Sequence, residues 1–160
     1  GVPLIKKRVT VDGSSVKTPM NLEVLIGTPI ADVFEFSGGF TTEPAKFIMG
    51  GPMMGVSLYS DEIPVMKYTN ALLALNEKDG RIPDEYACIR CGRCVKVCPM
   101  NLLPFDIDRL VKANLYDDLD KYNVTDCIEC GSCSYTCPSK RMLTQSIRLG
   151  KDVLRRKAKK

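Results

Sequence analysis

The 160-residue sequence has no histidine and no tryptophan. Without imidazole there is no His-ligated zinc or haem and no Rieske centre, and the Ser-His and Cys-His pairs of nucleophilic catalysis have no members. Long apolar runs are missing too. No stretch approaches the ~20 residues of a membrane-spanning helix, and Gly1 to Thr10 lacks the apolar core of a secretory signal. The chain is expected to be soluble, or held at a membrane by partners. Hydrophobic residues at 44% and charged residues at 26% are ordinary for one or two small globular domains. The net charge of +4 is unevenly spread: Lys140 to Lys160 holds nine Lys/Arg and one acid, leaving 14 basic and 18 acidic residues before it.

Cysteine, by contrast, is concentrated. All eight lie in two copies of C-x2-C-x2-C-x3-C-P, at Cys88, Cys91, Cys94, Cys98 and Pro99 and again at Cys127, Cys130, Cys133, Cys137 and Pro138, each position recurring 39 residues on. This is the spacing by which two-cluster ferredoxins hold [4Fe-4S] clusters, and the duplication points to a pair of redox centres. Three thiolates spaced by three can turn onto one face of a cubane. In this motif class the last Cys of a run serves the other cluster, which assigns Cys88, Cys91, Cys94 and Cys137 to one and Cys127, Cys130, Cys133 and Cys98 to the other. Gly92 and Gly131 let backbone N–H groups approach the cluster sulfurs, and such bonds tune potential. Pro99 and Pro138 disfavour helix at the preceding Cys and mark the exit from each turn.

Zinc is the main rival, but four-cysteine zinc sites usually come as two separated C-x2-C pairs. A disulfide framework fits the even count alone, since clustered thiols without a secretory signal point to metal.

The fold class expected is α+β, a small β-grasp domain followed by a mostly helical two-cluster domain. Lys7 to Val11 reads as a strand ending at the turn Asp12-Gly13, with Val16 to Thr18 as its return. Thr28-Pro29 reads as an N-cap with Pro opening a helix whose face is Ile30, Val33 and Phe34, stopped by Gly38-Gly39. Phe47 to Met49 reads as a further strand and Val65 to Leu75 as a strand or packing segment. Residues 1–75 then form the first domain, 76–83 a polar linker, and 84–160 the cluster domain. Pro104 opens a helical face of Ile107, Leu110, Val111 and Leu115, followed by Leu119, Tyr122 and Val124. Leu143, Ile147, Val153 and Leu154 mark a last amphipathic helix with a basic exposed face.

C-I-R-C-G-R-C at Cys88, L-L-P at Leu102 to Pro104, D-C-I-E-C-G-S-C-S-Y at Asp126 to Tyr135 and G-G-P-M-M-G at Gly50 together resemble the C subunit of the Rnf complex. That complex is a membrane-bound ferredoxin:NAD+ oxidoreductase coupling electron transfer to Na+ or H+ movement. The resemblance spans nearly the whole chain. It implies a soluble-ligand-binding β-grasp domain, two [4Fe-4S] clusters, other Rnf-type subunits including a ferredoxin-like one as partners, and a peripheral place on the cytoplasmic face of the membrane. Family members also carry an upstream domain that binds FMN and NAD(H). Residues 1–87 have no G-x-G-x-x-G after a strand, so FMN and NAD(H) are not expected on this chain, which reads as a C-terminal portion or a shortened relative.

Two other functions compete with a relay of the Rnf type. Cobalamin reductases of bacterial microcompartments share the domain order, although E-C-G-S-C-S-Y favours Rnf. A nucleic-acid-binding protein with structural Fe-S or zinc is suggested by Arg155-Arg156-Lys157, but no aromatic is interleaved with these charges for base stacking. A solvated helix face is the plain reading of the tail, and an anionic membrane surface or an acidic protein partner suits it better than nucleic acid. The seven methionines read as core or gap-filling residues. Tyr86 and Tyr135 could shield the clusters from water or simply pack, and Ile89 and Ile128 should give each an apolar wall.

Overall fold

The computed structural model describes residues 1–159, which divide into two compact units with the boundary between Ile82 and Pro83. The first unit holds strands β1 (Lys6–Asp12), β2 (Met20–Leu25), β3 (Lys46–Met49), β4 (Val56–Leu58) and β5 (Ala71–Leu75), with helix α1 (Ile30–Phe36) between β2 and β3. The sheet order is β2-β1-β5-β3-β4. Its central pair, β1 and β5, is parallel, and the other pairs are antiparallel. A mixed sheet of this order with one crossing helix is the β-grasp arrangement.

Alternation along β1 buries Val9 and Val11, alternation along β5 buries Leu72 and Ala74, and the helical spacing of Ile30, Val33 and Phe34 sets α1 onto them. Phe34 also meets Phe40 and Phe47, with ring centroids 5.2 and 5.5 Å away.

Two local expectations need correction. The return strand is Met20–Leu25, registered Val11 to Met20 and Lys6 to Leu25, rather than Val16 to Thr18. The segment after Asp12 leaves β1 because its amides find other acceptors: Ser15 N–H donates to Ala74 O and Lys17 N–H to Gly39 O. Thr28 does not cap α1, and Pro29 sits before the helix with extended backbone. The first N–H groups of α1 go instead to carbonyls of a later segment, Ile30 to Ile63 and Ala31 to Asp61. Within Val65 to Leu75 only Ala71–Leu75 is strand. Asn76 caps a short helix α2 (Glu77–Gly80), accepting from Asp79 N–H at 3.0 Å.

The second unit is helical: α3 (Arg93–Lys96), α4 (Pro104–Lys112), a 3-10 segment (Tyr116–Tyr122), α5 (Ser132–Tyr135) and α6 (Leu143–Lys157). Ile107, Leu110, Val111, Leu119, Val124, Leu143 and Ile147 form its core. Leu115 lies outside this face and is exposed, because α4 stops at Lys112 and Asn114 turns the chain through a left-handed conformation.

The 39-residue repeat of the cysteines is a repeat of backbone. Helix α3 recurs as α5, α4 and α6 begin at equivalent residues (Pro104 and Leu143), and the left-handed positions Arg90, Gly92 and Asn101 recur as Glu129, Gly131 and Lys140. The copies diverge after α4. Where α4 and α6 cross, the equivalent residues are Val111 and Gly150, and a Cβ added at Gly150 would lie 3.0 Å from Val111 Cγ2 and 2.9 Å from Leu119 Cδ1. The small residue permits the close crossing.

Candidate metal centres

Each cysteine run enters a loop whose direction is fixed by glycine. Gly92 (φ 72°) and Gly131 (φ 81°) precede α3 and α5 in a left-handed conformation that costs a side-chain-bearing residue roughly 1–2 kcal/mol. The first three cysteines of each run therefore curl around one space. Cys88, Cys91, Cys94 and Cys137 line one cavity. Cys98, Cys127, Cys130 and Cys133 line a second. The last cysteine of each run thus lies at the cavity of the other run.

Ile89 lines the first cavity and Ile128 the second; Phe105 and Leu143 add to the first, Leu102, Pro104 and Ile147 to the second. Tyr86 and Tyr135 line neither and are 65% and 81% exposed, so they do not shield these spaces. Met100 lines the second, while Met53, Met54 and Met66 are exposed, a correction to their reading as core.

Sulfur acceptors are partly engaged. Leu102 N–H donates to Cys98 Sγ at 3.4 Å and Glu129 N–H to Cys127 Sγ at 3.3 Å. Burial pushes the Cys94, Cys127 and Cys133 thiols up, while the Ser132 hydroxyl beside Cys130 draws that thiol down. Metal uptake must therefore release protons from the buried thiols. All eight cysteines are free. Among the described residues no three Cys, Asp or Glu side chains converge as they would on a single ion. The four thiols lining each apolar cavity are a donor set suited to an iron-sulfur cluster.

Charged residues that carry no motif in the sequence support the loops. Asp108, fully buried on α4, accepts from Arg141 Nε at 2.9 Å, from Arg141 Nη2, and from Ser146 Oγ at 2.5 Å. Arg141 lines the first cavity and donates Nη1 to Tyr86 O, in the segment that leads into Cys88. At the second cavity Lys151, with a side chain only 8% exposed, donates to Cys127 O at 2.8 Å and to Glu129 at 2.7 Å. An acid and a lysine on the inner faces of amphipathic helices were the available signal.

Residues 8–57 match the family model of the SLBB domain, and residues 81–138 match that of the 4Fe-4S dicluster domain. The two cavities accordingly belong to a domain type that carries two [4Fe-4S] clusters. Among curated proteins, the chain is 47% identical over 151 residues to the C subunit of the Na(+)-translocating ferredoxin:NAD(+) oxidoreductase complex of Acetobacterium woodii, covering 94% of this chain and 34% of the relative. It is 48% identical over 149 residues to the C subunit of the proton-translocating ferredoxin:NAD(+) oxidoreductase complex of Clostridium ljungdahlii, covering 92% and 33%. With the C subunit of the ion-translocating oxidoreductase complex of Rhodobacter capsulatus the identity is 45% over 113 residues, covering 71% and 22%. The chain thus spans about a third or less of the length of these relatives. Over most of its length the chain is thus a homologue of the C subunits of the Rnf-type ion-translocating oxidoreductase complexes, with matches to the SLBB and 4Fe-4S dicluster domains.

Proposed function

We propose that Cys88, Cys91, Cys94 and Cys137 ligate one [4Fe-4S] cluster and Cys98, Cys127, Cys130 and Cys133 the other. The pair then relays single electrons between ferredoxin-side partners and the FMN and NAD(H) site of another domain of an Rnf-type complex, at the cytoplasmic face of the membrane. The placement of Cys98 and Cys137 at each other's cavities carries this reading. Bound there, each cluster supplies a one-electron couple. The chain's own part is to hold two such groups close, wall them with apolar side chains, and donate the Leu102 and Glu129 N–H groups to sulfur, which favours the more negative, reduced state.

Anaerobic reconstitution with iron and sulfide should load about eight irons and give the EPR spectrum of two interacting reduced [4Fe-4S] centres. Ligand variants test the crossing. Cys137→Ser should lose the same centre as Cys88→Ser, and Cys98→Ser the same as Cys127→Ser. A colourless zinc protein would end the electron-transfer reading, and Cys137→Ser matching Cys133→Ser would end the crossed assignment.

A further inference from the structure

The two centres are related by the repeat, but their outward charges are not. The second residue after the first cysteine is Arg90 in one run and Glu129 in the other, both with left-handed backbone (φ 52° and 57°), so the side chains leave equivalent points of the loop. Glu129 is satisfied from within, by Arg148 Nε at 2.9 Å and Lys151 Nζ at 2.7 Å. Arg90 is exposed and has no hydrogen-bond or ion-pair partner among the described residues, and the same holds for Arg93, where the second run has Ser132. Beside Arg90 opens a broad basin walled also by Arg109, Lys112 and Arg141, with Asp106 the one carboxylate on its lining and Cys88 reaching into it. Arg109 and Lys112 are partly offset by Asp106 and Glu85, and Arg141 by Asp108, which leaves Arg90 as the basin's charge with nothing opposite it, with the exposed Arg93 three residues further along the chain. Exposure follows the same division. Cys88 and Cys91 are exposed at the first centre, and no cysteine of the second is.

We propose that this face of the first centre is the docking site of an acidic electron-carrier protein, one whose own redox group lies beneath surface carboxylates. The inference rests on the cluster reading above. Positive charge around the exposed centre steers an anionic partner to the place where the distance between redox groups is shortest, and complementary fields of this kind act mainly on encounter and register. A flat anionic membrane would meet the same charges but would bring no redox group to a concave basin with a ligand at its wall.

The test uses the anaerobically reconstituted chain and an oxidised, acidic two-cluster ferredoxin as probe, titrated calorimetrically at low and high salt, with iron content and EPR recorded on the same samples. Binding should weaken steeply with salt. Arg90→Glu combined with Arg93→Glu should weaken it by about ten-fold or more at low salt, and Arg90→Gln with Arg93→Gln by less, with eight irons retained in both. Arg155→Glu with Arg156→Glu on the basic tail should leave it within about two-fold. A fully loaded chain that ignores the ferredoxin, or binds it equally well without Arg90 and Arg93, overturns the docking proposal alone. Loss of binding in the tail variant overturns it too, as does a dependence of phosphatidylglycerol-vesicle binding on Arg90 and Arg93 without any effect on the ferredoxin. A chain that cannot be loaded overturns both this and the cluster reading.

Discussion

Asp108→Asn removes one charge and almost no volume, and the structure says what should follow. The Asp108 side chain is wholly buried, and its Oδ2 receives two N–H groups of an Arg141 side chain that is 16% exposed, while Oδ1 receives the Ser146 hydroxyl. Lys112 Nζ stands 3.7 Å off. Removing one partner of a buried pair costs about 3–5 kcal/mol, because the other charge is left uncompensated. Arg141 keeps some access to water, which places the loss near the lower end, about 3 kcal/mol. For a unit of this size about 1 kcal/mol moves the midpoint by roughly 4–8 °C, so the apparent melting temperature should fall by roughly 12–24 °C. The assay is far-ultraviolet circular dichroism of the loaded chain at one scan rate, with iron release followed in parallel. Because Arg141 also holds Tyr86 O ahead of Cys88, the first centre should lose iron before the second. Asp108→Leu combined with Arg141→Met should recover at least about half of the loss, since apolar replacement of both partners is often neutral. A shift under about 3 °C in Asp108→Asn, or a double variant no better than the single, would refute the reasoning.

Two further outcomes follow from packing and from charge. Gly150→Val should destabilise the helical unit by about 1–3 kcal/mol, because the branched side chain must displace Val111 and Leu119, whereas in Gly150→Ala the tight contacts are offset by about 1 kcal/mol of helix propensity; equal urea midpoints for the Val and Ala variants would contradict this. The Glu129 carboxyl is held below the usual range first by its hydrogen bond from Lys151 and also by Arg148, against burial. A lowered folded pKa stabilises above the ordinary carboxylate pKa of about 4.3 and is lost as pH falls through the folded value, so the advantage of the native chain over Glu129→Gln should be full at pH ~7 and shrink below pH ~4. Melting midpoints of both proteins across that range check the sign, and an advantage that grows in acid would be inconsistent with it.

Much of this architecture is legible in the sequence where the signal is local. The apolar faces of α1, α4 and α6 follow from spacing, and the turn at Gly38-Gly39 from glycine. The paired centres follow from cysteine spacing together with the constant 39-residue offset. What cannot be read is what depends on partners distant in sequence. Thr28 has the form of a cap, but the α1 amides are met by Asp61 and Ile63, about thirty residues on. The return strand begins later than its turn signal suggests because the acceptors for Ser15 and Lys17 lie at Ala74 and Gly39. Asp108 and Lys151 give no sign of their role as supports, since helical periodicity marks an inner face without naming a charge on another element that will satisfy it.

Duplication with the proposed crossing of ligands constrains how the two centres can differ. Each run places its last thiol at the cavity of the other run, so in the proposed crossing neither copy can discard a cysteine without costing one of the two centres a ligand. Divergence is therefore confined to positions that do not ligate. The equivalent pairs Arg90 and Glu129, Leu102 and Arg141, and Phe105 and Thr144 all lie at the cavities, and at each the copies have different side chains. The core obeys the same logic. Two large residues at the crossing of α4 and α6 would hold the helices apart, so Val111 in one copy faces Gly150 in the other. In the proposed relay, identical ligands would keep the chemistry of the two ends alike, and the unlike residues around them make the two ends distinguishable to a partner.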